Sequence, residues 1–211
     1  MKFNFGIVLT ILLFSLISSI DASFCSGKHK GGGKQIKSGF CSDTALGQVP
    51  SIDHMTSTLI IEPKNEQTLK AHKNFTVLIK VKNLKTGDFS DPEHKYYSIP
   101  QELDDGIIKG HTHITVQHLG NEKNVPDAKV FGFFEGLNFR AKHNILKVEV
   151  DGSKLFAGKY RICTISSSFS HQPLVMPVAK RGAQDDCIRV TLTNHHKHHK
   201  RTPRRPRNWK V

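Results

Sequence analysis

The chain has 211 residues, 37% of them hydrophobic, and its 31 Lys and Arg against 18 Asp and Glu give a formal net charge of +13. The excess sits in two flanks, Lys28, Lys30, Lys34 and Lys37 near the start and Lys197, Lys200, Arg201, Arg204, Arg205, Arg207 and Lys210 at the end, leaving about +2 for residues 41–193. The charge is therefore not a property of the body, no nucleic-acid partner is expected, and no stretch past the first twenty-two residues is long and apolar enough to cross a bilayer.

Residues 1–22 read as a secretory signal peptide, with Lys2 as the positive start, an apolar run over 7–17 and small residues ending at Ala22. Cleavage there leaves Ser23 first. All four cysteines follow it: Cys25, Cys41, Cys163 and Cys187. An even number in a secreted chain reads as two disulfides with three connectivities. Closeness in sequence favours Cys25–Cys41 and Cys163–Cys187, while a cross-pairing such as Cys41–Cys187 stays open. No CxxC spacing occurs, so a structural role is expected. Residues 23–44 form a basic Gly/Lys-rich arm, flexible unless Cys25–Cys41 tethers it.

The body, 45–193, reads as a succession of short strands. Residues 56–62 (TSTLIIE) give the first, stopped by Pro63, and 68–71 a short companion. Residues 74–83 (NFTVLIKVKN) alternate, with Phe75, Val77, Ile79 and Val81 on one face. Asn74 opens this strand and is the N-glycosylation sequon. After a turn at 85–88 and a polar connector at 101–106, residues 110–119 (GHTHITVQHL) alternate again. Here Thr112, Ile114 and Val116 read as core, and His111 and His113 share the other face. Residues 130–134 (VFGFF) form a short apolar run. Residues 144–150 alternate Leu146, Val148 and Val150 against Ile145, Lys147 and Glu149. Residues 158–166 (GKYRICTIS) are led by Tyr160 and Ile162, with Cys163 pointing the other way. Residues 187–193 set Ile188, Val190 and Leu192 on one side. No convincing amphipathic helix appears. The fold class expected is an all-β sandwich of about seven strands, immunoglobulin-like first and a small jelly roll second.

The tail, 194–211, has two prolines, a block of like charge and four histidines (His195, His196, His198 and His199), a composition expected to be disordered. It suits attraction to an anionic surface, and its histidines can sequester metal loosely. Lys200 and Arg201 resemble a dibasic processing site.

Three stretches, 110–117 (GHTHITVQ), 160–164 (YRICT) and 170–187 (SHQPLVMPVAKRGAQDDC), resemble a group of small secreted fungal proteins with one β-rich domain. The likeness runs over roughly 45–193. It implies secretion and a fungal wall or extracellular setting, and it transfers no catalytic residue.

One chemical constellation stands out. His111 and His113 on one strand face, joined by His171 from a loop, make a three-nitrogen set suited to Cu or Zn, with His54, Asp185 or Asp186 as additions. The competing reading is a solvent-facing polar row continued by Thr115 and Gln117, with His171 tying down its loop. Adjacent carboxylates such as Asp104 and Asp105, or Asp185 and Asp186, point to opposite faces of a strand and make no catalytic dyad. The second pair is expected to cap backbone N–H groups, with Arg181 beside it. No GxSxG, HExxH or phosphate-cradling loop occurs, which argues against serine hydrolase, zincin and nucleotide chemistry. Polysaccharide-cleaving copper oxidases need an N-terminal histidine, and Ser23 is not one.

The leading expectation is a secreted, non-catalytic, monomeric protein that binds anionic cell-wall polysaccharide or a membrane surface through its basic flanks, with no cofactor. The alternatives are Cu or Zn binding through the three histidines and, third, an enzyme acting on wall glycans.

Overall fold

The structure, a computed structural model, describes residues 23–194. The signal segment and the tail from 195 onward, with Lys197, Lys200, Arg201, Arg204, Arg205, Arg207 and Lys210, lie outside the described residues.

Among the described residues ten strands follow one another: β1 (Ser57–Glu62), β2 (Thr68–Lys70), β3 (Phe75–Lys82), β4 (Leu84–Lys85), β5 (Leu103–Asp104), β6 (Ile107–His118), β7 (Phe133–Leu137), β8 (Ile145–Val150), β9 (Gly158–Ser168) and β10 (Cys187–Thr193). They form a two-sheet β-sandwich. The smaller sheet has the order β1-β3-β8 and the larger β2-β10-β9-β6-β4, with β5 and β7 also paired to β6. β10 runs parallel to β2 and antiparallel to β9.

The alternation read in the sequence builds the core. Val77 and Ile79 of β3, Leu146 and Val150 of β8, Ile114 and Val116 of β6, and Ile162 of β9 are all fully buried. Each such side chain contributes roughly 1.5–3 kcal/mol of burial. At one end of the large sheet a glycine is required. Gly110 faces Ser168 across β6 and β9, and any Cβ added at Gly110 would collide with the Ser167 carbonyl oxygen.

The two disulfides are Cys25–Cys41 and Cys163–Cys187. The second joins directly paired residues of β9 and β10 within one sheet, so it does not bridge the two layers. The first closes the basic arm into a loop that rests on the domain. Tyr96 N–H donates to the Gly33 carbonyl at 2.8 Å, and the Phe40 ring meets Tyr96 and Tyr97 at 6.3 and 6.2 Å. Lys30 and Asp43 pair at 2.6 Å inside it, and Lys30, with Ser23, holds the Asp43 carboxyl down to about 2.

Several boundaries differ from the sequence reading. β6 starts at Ile107, because β4 and β5 both pair with Ile108. The apolar run at 130–134 is not the strand: Val130 and Phe131 are exposed and β7 begins at Phe133, where pairing with Val116 starts. The connector at 101–106 contains a buried Gln101, whose amide bonds the Gln48 and Val175 carbonyls and the Val175 N–H. The polar row on β6 is not solvent-facing either. His111, Thr115 and Gln117 are buried, because loops cover that face; Gln117 donates to the Asp127 and Val130 carbonyls.

Candidate metal centre

β6 sends His111 and His113 to the outer face of the large sheet, opposite Ser167 and Ile165 of β9. The turn after β9 brings His171 to them. His171 adopts φ +69, the left-handed region that costs a non-glycine residue about 1 kcal/mol or more, and its N–H is held by the Ser168 carbonyl at 3.0 Å. The three rings offer one nitrogen each within 4.8 Å of one another, and among the described residues no other His, Cys, Asp or Glu joins the set.

The hydrogen bonds show which nitrogen of each ring the backbone takes up. His111 Nδ1 lies 3.3 Å from the Asp88 carbonyl oxygen, His113 Nδ1 3.0 Å from that of Ile165, and His171 Nε2 2.9 Å from that of Ser90. A carbonyl only accepts, so in each ring that nitrogen carries the proton. The neutral rings then present bare lone pairs on His111 Nε2, His113 Nε2 and His171 Nδ1. Two of these, His111 Nε2 and His171 Nδ1, stand 3.0 Å apart. Facing acceptors repel unless a proton or a cation lies between them.

A proton on His111 or His113 is disfavoured. Burial, with the neighbouring His113 and His171, pushes His111 down to about 3, and burial also lowers His113. A metal ion fits better. At metal–nitrogen distances of about 2.0–2.1 Å, two tetrahedral imidazole ligands stand about 3.3 Å apart. Histidine ligands also characteristically donate their second N–H to a carbonyl or carboxylate, which fixes tautomer and ring direction. With all three nitrogens within 4.8 Å of one another, closing them onto one ion takes a movement of at most about 1.5 Å.

Around the rings, Phe134 of β7 stacks on His113 at 5.2 Å, Tyr96 tilts over His171 at 5.9 Å and Phe89 meets the edge of His111 at 6.1 Å. Tyr96 stacks on Tyr97 at 4.1 Å, and burial followed by Tyr97 raises its hydroxyl well above the usual tyrosine range. His113, His171, Tyr96, Tyr97, Phe134 and Asp185 border one cavity of about 410 Å³.

The other candidates are placed elsewhere. His54 packs against Gly106 and is not part of the histidine set. Asp185 and Asp186 do cap backbone: Ser166 N–H donates to Asp185 and Ile60 N–H to Asp186, both at 2.8 Å. Arg181 bonds the Val178 carbonyl instead of either aspartate, because its own loop folds back on it. Asp104 pairs with Lys85. Asn74 is exposed, and its Oδ1 accepts the Gly152 N–H at 3.1 Å. The sequence reading missed the carbonyls of Asp88, Ser90 and Ile165, which no side-chain pattern can signal. It also passed over the adjacent pair Tyr96-Tyr97 as a cavity wall.

The fold is thus a two-sheet β-sandwich that gathers three imidazoles on the outer face of its larger sheet. The family model of the CLU5d N-terminal domain matches residues 58–193, and the chain belongs to that family. It is 43% identical over 176 residues to Pathogenicity cluster 5 protein d of the fungus Colletotrichum graminicola. That match covers 81% of this chain and 36% of the relative, so the chain spans about a third of the relative's length. Among solved structures, the endo-beta-1,4-mannanase from Thermotoga petrophila aligns with 66% of this chain and 20% of its own, at 13% identity and a TM-score of 0.36.

Proposed function

We propose that this chain is a secreted fungal protein whose β-sandwich holds one Cu or Zn ion through His111, His113 and His171. The single observation that carries the reading is the convergence of three histidine nitrogens within 4.8 Å of one another, from rings that each reach a backbone carbonyl through a nitrogen. Two disulfides and a fungal pathogenicity-cluster relative support an extracellular setting. The test is metal analysis of the full chain in which His195, His196, His198 and His199 are changed to Ala, so that the tail adds no ligand. About one equivalent of metal is expected, lost on His111→Ala; no stoichiometric metal overturns the reading.

A second reading concerns the flanks. Seven Lys and Arg in the last eighteen residues, against a nearly neutral body, favour electrostatic retention on anionic wall polysaccharide or membrane lipid. Exposure of Asn74 supports its glycosylation, which a mass shift on glycosidase treatment checks.

A further inference from the structure

We infer that the three-histidine centre leaves its ion an open coordination position on the cavity side, and that this position takes the carboxylate of an exogenous ligand. The inference rests on the metal reading above and adds to it the chemical class of the ligand.

Closed structural sites supply four protein ligands, whereas sites that bind something from outside supply three. Here the described residues supply three. Asp185 borders the cavity but is not part of the set, and its Oδ1 is anchored on β9 by the Ser166 N–H at 2.8 Å and the Thr164 hydroxyl at 3.1 Å. His111 is fully buried and forms the floor, while His113 and His171 are partly exposed and border the cavity. The unfilled side of the set is therefore the side that opens to solvent.

Charge selects the ligand. Three neutral imidazole ligands contribute no charge to offset that of the ion, so an anionic oxygen donor completes it better than a neutral hydroxyl does. The cavity walls select what that donor is attached to. About 410 Å³ lies within the usual range of small-molecule sites, roughly 300–1,000 Å³, and the walls combine the rings of Tyr96, Tyr97 and Phe134 with the amides of Gln35 and Gln184. Rings cover the body of a ligand and amides bond its hydroxyls. A compact hydroxylated acid fits both. It has two sources, a free organic acid or the uronate units of an acidic polysaccharide.

The experiment uses the full chain with the four tail histidines changed to Ala and loaded with one equivalent of Cu(II). The visible absorption band is followed while acetate, galacturonate, oligogalacturonate and neutral galactose are added in turn. A saturable band shift with galacturonate and none with galactose is expected. A shift with oligogalacturonate at a concentration at least ten-fold lower per uronate unit supports the polysaccharide source, and equal shifts with acetate support the free acid. A chain that holds one equivalent of copper but shows no shift with any carboxylate overturns this inference and leaves the metal reading standing. A chain that holds no copper overturns the metal reading itself.

Discussion

His111 Nε2 and His171 Nδ1 face each other at 3.0 Å, from positions 60 residues apart in the chain. Both rings spend their protonated nitrogen on a carbonyl, so the contact joins two acceptors. A cation between them turns a repulsion into two bonds.

On the proposed metal reading, a bound ion stabilises the fold. At a free concentration one hundred times its Kd, an ion that binds only the folded state adds about 2.7 kcal/mol, which for a domain of this size raises Tm by about 6–10 °C. Thermal unfolding with and without Zn, in the chain lacking tail histidines, measures this. His111→Ala abolishes the increment. His171→Gly abolishes it as well but lowers the metal-free Tm less, because glycine relieves the positive φ at that position.

The metal-free chain weakens as pH falls. Folded His111 resists protonation down to about 3, because burial and its two histidine neighbours disfavour the charge, while the unfolded residue takes a proton near 6.5. Between those values the unfolded state binds more protons, so stability is full above about 6.5 and is lost progressively towards about 3. Denaturant titrations at pH 7, 5.5 and 4 check the slope. His111→Asn flattens it.

Gly110→Ala forces β6 and β9 apart beside His111, since the added Cβ meets the Ser167 carbonyl. A loss of about 2–3 kcal/mol and a weaker metal affinity are expected together. Ile114→Val, in the core half of the same strand, loses about 0.5–1.5 kcal/mol and keeps the metal. Denaturant midpoints paired with metal titration separate the two.

How much of this was legible in the residues depends on what carried each feature. Alternation gave the core side chains of β3, β6, β8 and β10, because burial on one face repeats every second residue. The disulfide pairs followed from sequence closeness. β7 was misplaced by about three residues, since Val130 and Phe131 look like strand but have no partner on β6. At the site, the histidines were legible and their setting was not. The polar row on β6 became buried because the 88–97 segment and the loop before β7 cover it, and a covering loop leaves no periodic trace.

Changing Cys163 and Cys187 together to Ala removes about 3 kcal/mol, because the bridge closes a loop of 24 residues in the unfolded chain. Changing Cys25 and Cys41 moves the main unfolding transition less and exposes the arm to limited proteolysis, since that loop touches only one rim of the sandwich.

Removing residues 194–211 should cut retention on isolated wall material several-fold at low salt and leave a weaker, still salt-sensitive remnant from Lys28, Lys30, Lys34 and Lys37 of the arm. Equal retention by the shortened chain removes the tail from the explanation. Binding isotherms at two ionic strengths give the answer.

The three anchoring carbonyls belong to Asp88, Ser90 and Ile165, and the ligands to β6 and the turn after β9. These pieces meet only once β6 has paired with β9 and the 88–97 segment has settled across them. Such a site is nonlocal and cannot template an early hairpin. An ion that finds it acts as a receipt for completed assembly, slowing unfolding without hastening folding.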